Sequence, residues 1–200
     1  QTGTLLQTTA PTNTAIIVTA DKMSISGGAI GSAATDLVTL RPSRTLEAIN
    51  LGSVADAAAD TLDLSGAEID RVTGALTLGR ADATGTVTIS NAVMRTKAGD
   101  TTITNNTGGI AIGAGVTSLG ALTLAANGGA AVAGAITRTV GTLAASGAVA
   151  LNAATGIGSI AGTSILVNPG TALTVNNTTS GDIFIATTAS VTVAGAGAAI

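Results

Sequence analysis

The feature that most constrains this chain is a short apolar alternation that returns along most of its length. The stretch Thr61 to Ser90, TLDLSGAEIDRVTGALTLGRADATGTVTIS, shows it at Leu62/Leu64, Leu76/Leu78 and Val87/Ile89, each pair followed by a turn. Period-two alternation over four or five residues marks a half-buried β-strand, and strands this short cannot stand as isolated hairpins. Further pairs follow at Thr101/Ile103, Ile110/Ile112, Leu122/Leu124, Val149/Leu151, Ile165/Val167, Leu173/Val175, Ile183/Ile185 and Val191/Val193, with weaker members near Val132, Leu143 and Ile157. They recur about every 10 residues, so three strands with their turns make a unit of about 20 to 35 residues, the period of a solenoid.

Upstream, AIIVTA from Ala15, MSIS from Met23, DLVTL from Asp36 and TLEAINLG from Thr45 read as further strands. Residues 1–14, broken by Pro11 and Asn13, read as a lead-in or partial coil, and Arg41-Pro42-Ser43-Arg44 as a turn projecting into solvent. Ser65-Gly66-Ala67-Glu68 has the Ser-x-x-Glu spacing of a capping box, which predicts one short helical turn between Ser65 and Val72. Asn recurs just after many pairs, at Asn91, Asn105, Asn106, Asn127, Asn152, Asn168, Asn176 and Asn177. It suits turns, because it tolerates left-handed backbone and its amide can bond to a neighbouring coil, although ordinary loops would also use it.

Composition supports stacked coils over a bulky globule. The chain of 200 residues has one aromatic residue, Phe184, and no Trp, Tyr, His or Cys, so its core must be Ala, Val, Ile, Leu and Thr. An immunoglobulin-like β-sandwich also has strands at this spacing and is the alternative, but it wants an aromatic core. The expected fold is therefore all-β, a single β-solenoid segment over 1–200 that belongs to a longer repetitive chain.

Charge narrows the function. With a net charge of −3 and only Arg138 and Asp182 charged beyond Asp100, the sequence carries no basic footprint for nucleic acid or an anionic membrane. Every apolar run is interrupted before the length of a membrane-spanning helix. Without His or Cys there is no imidazole base, thiol nucleophile or ordinary zinc site.

The local concentration of ionisable groups is Asp56, Asp60, Asp63, Glu68 and Asp70 with Arg71 and Arg80. Acids converging in a groove would suit a carbohydrate-active β-helix enzyme or a calcium site; acids on separate turns are solvated residues plus a helix cap. The Gly-rich segments GGAIGSAATD and GGIAIGAGV lack the Asp of a calcium-binding nonapeptide repeat. Gly113-Ala114-Gly115 and Gly156-Ile157-Gly158 lack the Lys-Ser or Lys-Thr of a phosphate loop and read as close turns. The sequons at Asn105-Asn106-Thr107 and Asn176-Asn177-Thr178-Thr179 matter only in a eukaryotic secretory route. Thr-x-Thr pairs such as Thr86-Val87-Thr88 and Thr102-Ile103-Thr104 raise an ice-binding face, against which the unequal coil lengths argue. No catalytic, cofactor-binding or metal-binding residue is assigned.

The segment Ile49 to Val93 resembles repeats of the filamentous-haemagglutinin-like surface exoproteins of bacteria. The matching pieces are Leu51-Gly52, Leu62 to Leu64, Ala67 to Val72, Leu76 to Arg80 and Gly85 to Ser90. From Thr101 to Ile200 the likeness is one of strand-and-turn texture only. The resemblance implies a right-handed parallel β-helix, secretion across the outer membrane and an extracellular role as adhesin shaft or surface filament, acting in adhesion or biofilm matrix. The partners expected are neighbouring coils, copies of itself end to end, and host or matrix glycans, without nucleic acid or membrane insertion. A fibre subunit that stacks end to end is the other reading.

Overall fold

Each apolar pair puts its two side chains on the same face of a short strand, and the chain winds so that these faces meet inside. The computed structural model describes residues 15–53, 58–127, 134–159 and 163–191. The lead-in at 1–14, Asp56, Val132 and Val193 lie outside them.

Taken in order, the first coil holds β1 (Ala15–Thr19) and the second β2 (Leu37–Arg41), β3 (Ala48–Leu51), β4 (Thr61–Leu64) and the one-turn helix α1 (Gly66–Ile69). The third coil is β5 (Ala75–Gly79), β6 (Val87–Ile89) and β7 (Val93–Arg95), and the fourth β8 (Thr101–Asn105), β9 (Ile110–Ile112) and β10 (Val116–Ser118). Next come β11 (Leu122–Ala126), β12 (Ile136–Arg138) and β13 (Leu143–Ala145), then β14 (Val149–Ala153) and β15 (Ile165–Pro169), then β16 (Leu173–Asn177) and β17 (Ile185–Thr187).

Strands of successive coils pair in parallel, giving three sheets that run along one axis. The first has seven strands, β1-β2-β5-β8-β11-β14-β16; the second runs β7-β10-β13-β15-β17; the third runs β4-β3-β6-β9-β12 and continues through single bridges from Ile136 to Ile157 and Ile183. The fold is a parallel β-solenoid of about seven turns. The antiparallel sandwich is excluded, because every described strand pair is parallel.

The register steps from Ala15 to Leu37, Leu37 to Ala75, Leu76 to Thr101, Thr101 to Leu122, Leu122 to Val149 and Val149 to Leu173 give coils of 22, 38, 25, 21, 27 and 24 residues. The turns absorb these differences, and the strands do not. One column of the first sheet, Leu40, Leu78, Ile103, Leu124 and Leu151, is buried throughout. At about 25 cal/mol per Å² of apolar surface, each such side chain contributes about 2 kcal/mol before chain entropy is counted.

The long second coil has a specific cause. After β3 the chain returns as β4 on the side of β3 away from β6, the place where the first coil would otherwise set a strand. MSIS, expected to be a strand, therefore forms none; Met23 and Ile25 are buried against the core without joining a sheet. The expected capping box is formed: Ser65 Oγ accepts from the Glu68 amide at 3.2 Å, and Glu68 accepts from the Ser65 amide at 2.9 Å. Glu68 Oε1 also accepts from the Ile25 amide at 3.0 Å, which fastens the first coil to α1. Val72 then bridges to Ile30.

The Leu-Gly pairs end strands by a related device. Gly52 (φ +84°) and Gly79 (φ +102°) take up left-handed backbone, and a Cβ on either would lie 2.2 Å from a carbonyl of the next coil, that of Asn91 or Thr104. Only glycine turns there while the coils remain stacked.

Candidate functional site

The described acids of the expected cluster are each bonded to a different segment. Asp60, in left-handed backbone at φ 56°, takes Arg44 at 2.5 Å. Asp63 sits beside Asn50 on the neighbouring strand, 4% exposed, and accepts from its amide at 3.1 Å. Glu68 is the helix cap, and Asp70 accepts from the hydroxyl and amide of Thr96. Arg80 reaches over one intervening residue to Asp82 and donates to the carbonyls of Pro42 and Ser43. That contact corrects the reading of Arg41 to Arg44 as a turn projecting freely into solvent: Ser43 and Arg44 are exposed, whereas Pro42 is buried. These acids do not converge in one groove. Arg71, with Asp70 and Lys97, borders a shallow groove of about 540 Å³ beside α1, and its guanidinium reaches only the Gly28 carbonyl at 3.4 Å.

A tighter group forms at another corner, from residues far apart in the sequence. Arg44 lies between Asp21 at 3.7 Å, Glu47 at 3.6 Å and Asp60. Asp21 accepts from the hydroxyl and amide of Ser43, and these bonds with that of Glu47 hold its pKa down to about 2. Glu47 is 2% exposed, and neither of its oxygens meets an amide, hydroxyl or guanidinium donor. Burial, then the hydrogen bond and charge of Asp21, push its pKa up to about 7. The sequence signal was present, in that Glu47 stands at an inward-type place before β3, but nothing local brought Asp21 to it.

Inside the solenoid a second polar cluster breaks the apolar pattern. Arg95, 1% exposed, donates to the carbonyls of Val72, Gly74 and Asp100 and to Thr101 Oγ1 at 2.8 to 3.1 Å, and Thr101 in turn bonds Ser118. Burial lowers its pKa from the ordinary guanidinium value. Among the described residues it pairs with no carboxylate; three main-chain oxygens from two turns and one hydroxyl take its protons.

No family model, curated protein or solved structure matches the chain. The likeness of Ile49 to Val93 to haemagglutinin-type repeats therefore rests on those residues alone. Among the described residues no group of three or more acids is placed to hold a metal ion, and no helix is long and apolar enough to cross a membrane.

What the coil winding does assemble is an ordered face. On the outside of the seven-stranded sheet, one register column reads Ile17, Thr39, Thr77, Thr102, Thr123, Ala150 and Thr174. Unequal coil lengths do not spoil this order, contrary to the expectation from sequence, because register is set within the sheet. The neighbouring outward column is mixed, Thr19, Arg41, Gly79, Thr104, Ala125, Asn152 and Asn176, so a repeated Thr-x-Thr array is not formed. Gly156 and Gly158 flank Ile157, whose bridges extend the third sheet, so this Gly pattern serves stacking.

Proposed function

We propose that this chain is a structural rod segment of an extracellular bacterial surface adhesin or filament. The observation that carries this reading is the continuity of the three parallel sheets, in which each coil is held by main-chain bonds to the coils before and after it. Hydrogen bonds between strands lie along the stacking axis, so tension along the rod is shared among the sheets, all three of them at the middle coils. Bonds from side chains add to this at the corners. Asn105 donates to Gly85 and Gly109, and Asn177 bonds Gly156, Ser180 and Gly181, so each ties its own turn to the coil before. The haemagglutinin-like residues of Ile49 to Val93 agree with a surface location.

The test is immunogold labelling of intact cells of the source organism with antibodies raised against this chain. The reading expects label on extracellular filaments or the cell surface that external protease removes. Label confined to the cell interior, seen only after permeabilisation, would refute it.

A second reading, a subunit that stacks end to end, is favoured by one observation. Inward residues of the last described coil, Leu173, Val175 and Ile185, are only partly buried, and Ile183 is 47% exposed, whereas Leu124 and Leu151 of earlier coils are fully covered. A further coil laid on β16 and β17 would cover them, whether it came from the same chain or from a copy.

A further inference from the structure

We infer that the outer face of the seven-stranded sheet is a lateral pairing surface for a second copy of this chain, with the two rods antiparallel. From β5 to β16 no outward side chain within the strands of this face is charged, Asp100 standing just before β8, so little charge opposes association there. At its other end the face carries two large apolar side chains in the open, Ile17 at 56% and Leu37 at 48% exposure, on adjacent strands. Seven strands about 4.8 Å apart and five residues long present about 550 Å² per copy, so a pair would bury about 1,100 Å², above the roughly 1,000 Å² a biological interface must clear and at the weak, reversible end of the scale.

Shape selects the orientation. A two-fold axis through the central strand, β8, lays β1 over β16 and β2 over β14 of the other rod. The bulky Ile17 then meets the small side chain of Thr174, Leu37 lies over Ala148 just before β14, and Thr102 meets its own counterpart. Parallel pairing would set Ile17 against itself and Leu37 over Arg41, and leave a gap at the other end. The partner's repeat along the axis equals that of this chain by construction, so the hydroxyl column is matched at every level. An irregular partner would need aromatic or charged anchors, and the strands of this face offer no aromatic residue and one charge, Arg41 at the end of β2. Lateral pairing stands whether or not the rod belongs to a cell surface.

Analytical ultracentrifugation of the 200-residue chain over a concentration series tests this. The chain should reach a dimer mass. Thr102→Lys with Thr123→Lys places like charges at the centre of the interface and should raise the dissociation constant at least about a hundredfold, with the circular dichroism spectrum retained. Thr88→Lys with Thr137→Lys, outward on the third sheet, should leave the dimer unchanged. Should the first double variant fail to fold, Leu37→Ser at the rim should by itself weaken pairing. A chain that stays monomeric throughout would overturn the inference. So would a dimer, or longer end-to-end species, indifferent to both the Thr102/Thr123 pair and Leu37→Ser.

Discussion

Glu47 shows what a solenoid corner does to a single carboxyl. Held at a buried position next to Asp21, it keeps its proton to about pH 7, whereas the same side chain in the unfolded chain releases it near the ordinary value of 4.5. Between those values the folded state binds the extra proton, so this group's contribution to stability is complete below about pH 4.5 and is lost as pH rises through 7. Asp21, with its pKa held down to about 2, acts in the opposite sense, and only below its ordinary value of 3.8. Glu47→Gln keeps the shape of the side chain and removes the titration. Thermal melts should show the variant gaining on the parent as pH rises from 5 to 8; a difference that does not change with pH would refute the raised pKa of Glu47. Arg95 makes the complementary point about legibility. An arginine followed by Thr96 and Lys97 reads as a surface turn in sequence, yet its side chain fills an inward place in β7. Arg95 and, in β10, Ser118 are why those two strands were not foreseen: each pairs one inward Val with an inward polar group, and the apolar alternation vanishes.

Among the elements, β5, β8, β11, β14 and β16 were legible because each shows inward residues two apart between turn residues, and the helical turn was legible from its capping box. The path of β4 was not. Leu62 and Leu64 specify a strand, but its place beside β3, on the side of the first coil, follows from the contest between β4 and MSIS for one sheet position. TLDL has the stronger alternation and carries α1 behind it, whose Glu68 then binds the Ile25 amide. Glu68→Ala should remove the carboxylate half of the capping box and this tie, while Ser65 Oγ still accepts from the amide of residue 68, costing about 1 kcal/mol. Hydrogen exchange should quicken at Ile25, Ser65 and the α1 amides while β11 and β14 keep their protection. Uniform loss of protection along the chain would mean that α1 is not a local clamp.

At the scale of the molecule, the account says that coils of 21 to 38 residues are joined through nearest neighbours, with register kept by the sheets and length differences left to the turns. Those lengths overlap the period read from the sequence, because the apolar pairs count strands faithfully even where turns vary. The acids were misleading at this scale for the converse reason. Residues close in sequence are distributed over separate corners, and the group that does gather, Asp21, Arg44, Glu47 and Asp60, spans two coils. A stack of this kind has no single core whose loss unfolds everything at once. The most direct measurement is to pull one chain by its ends in a force spectrometer. The account predicts successive extensions, each releasing one coil or a small number of coils, with single-coil steps of about 70 to 130 Å at about 3.4 Å per residue. Release of the whole chain in one event, with no intermediate lengths, would contradict it.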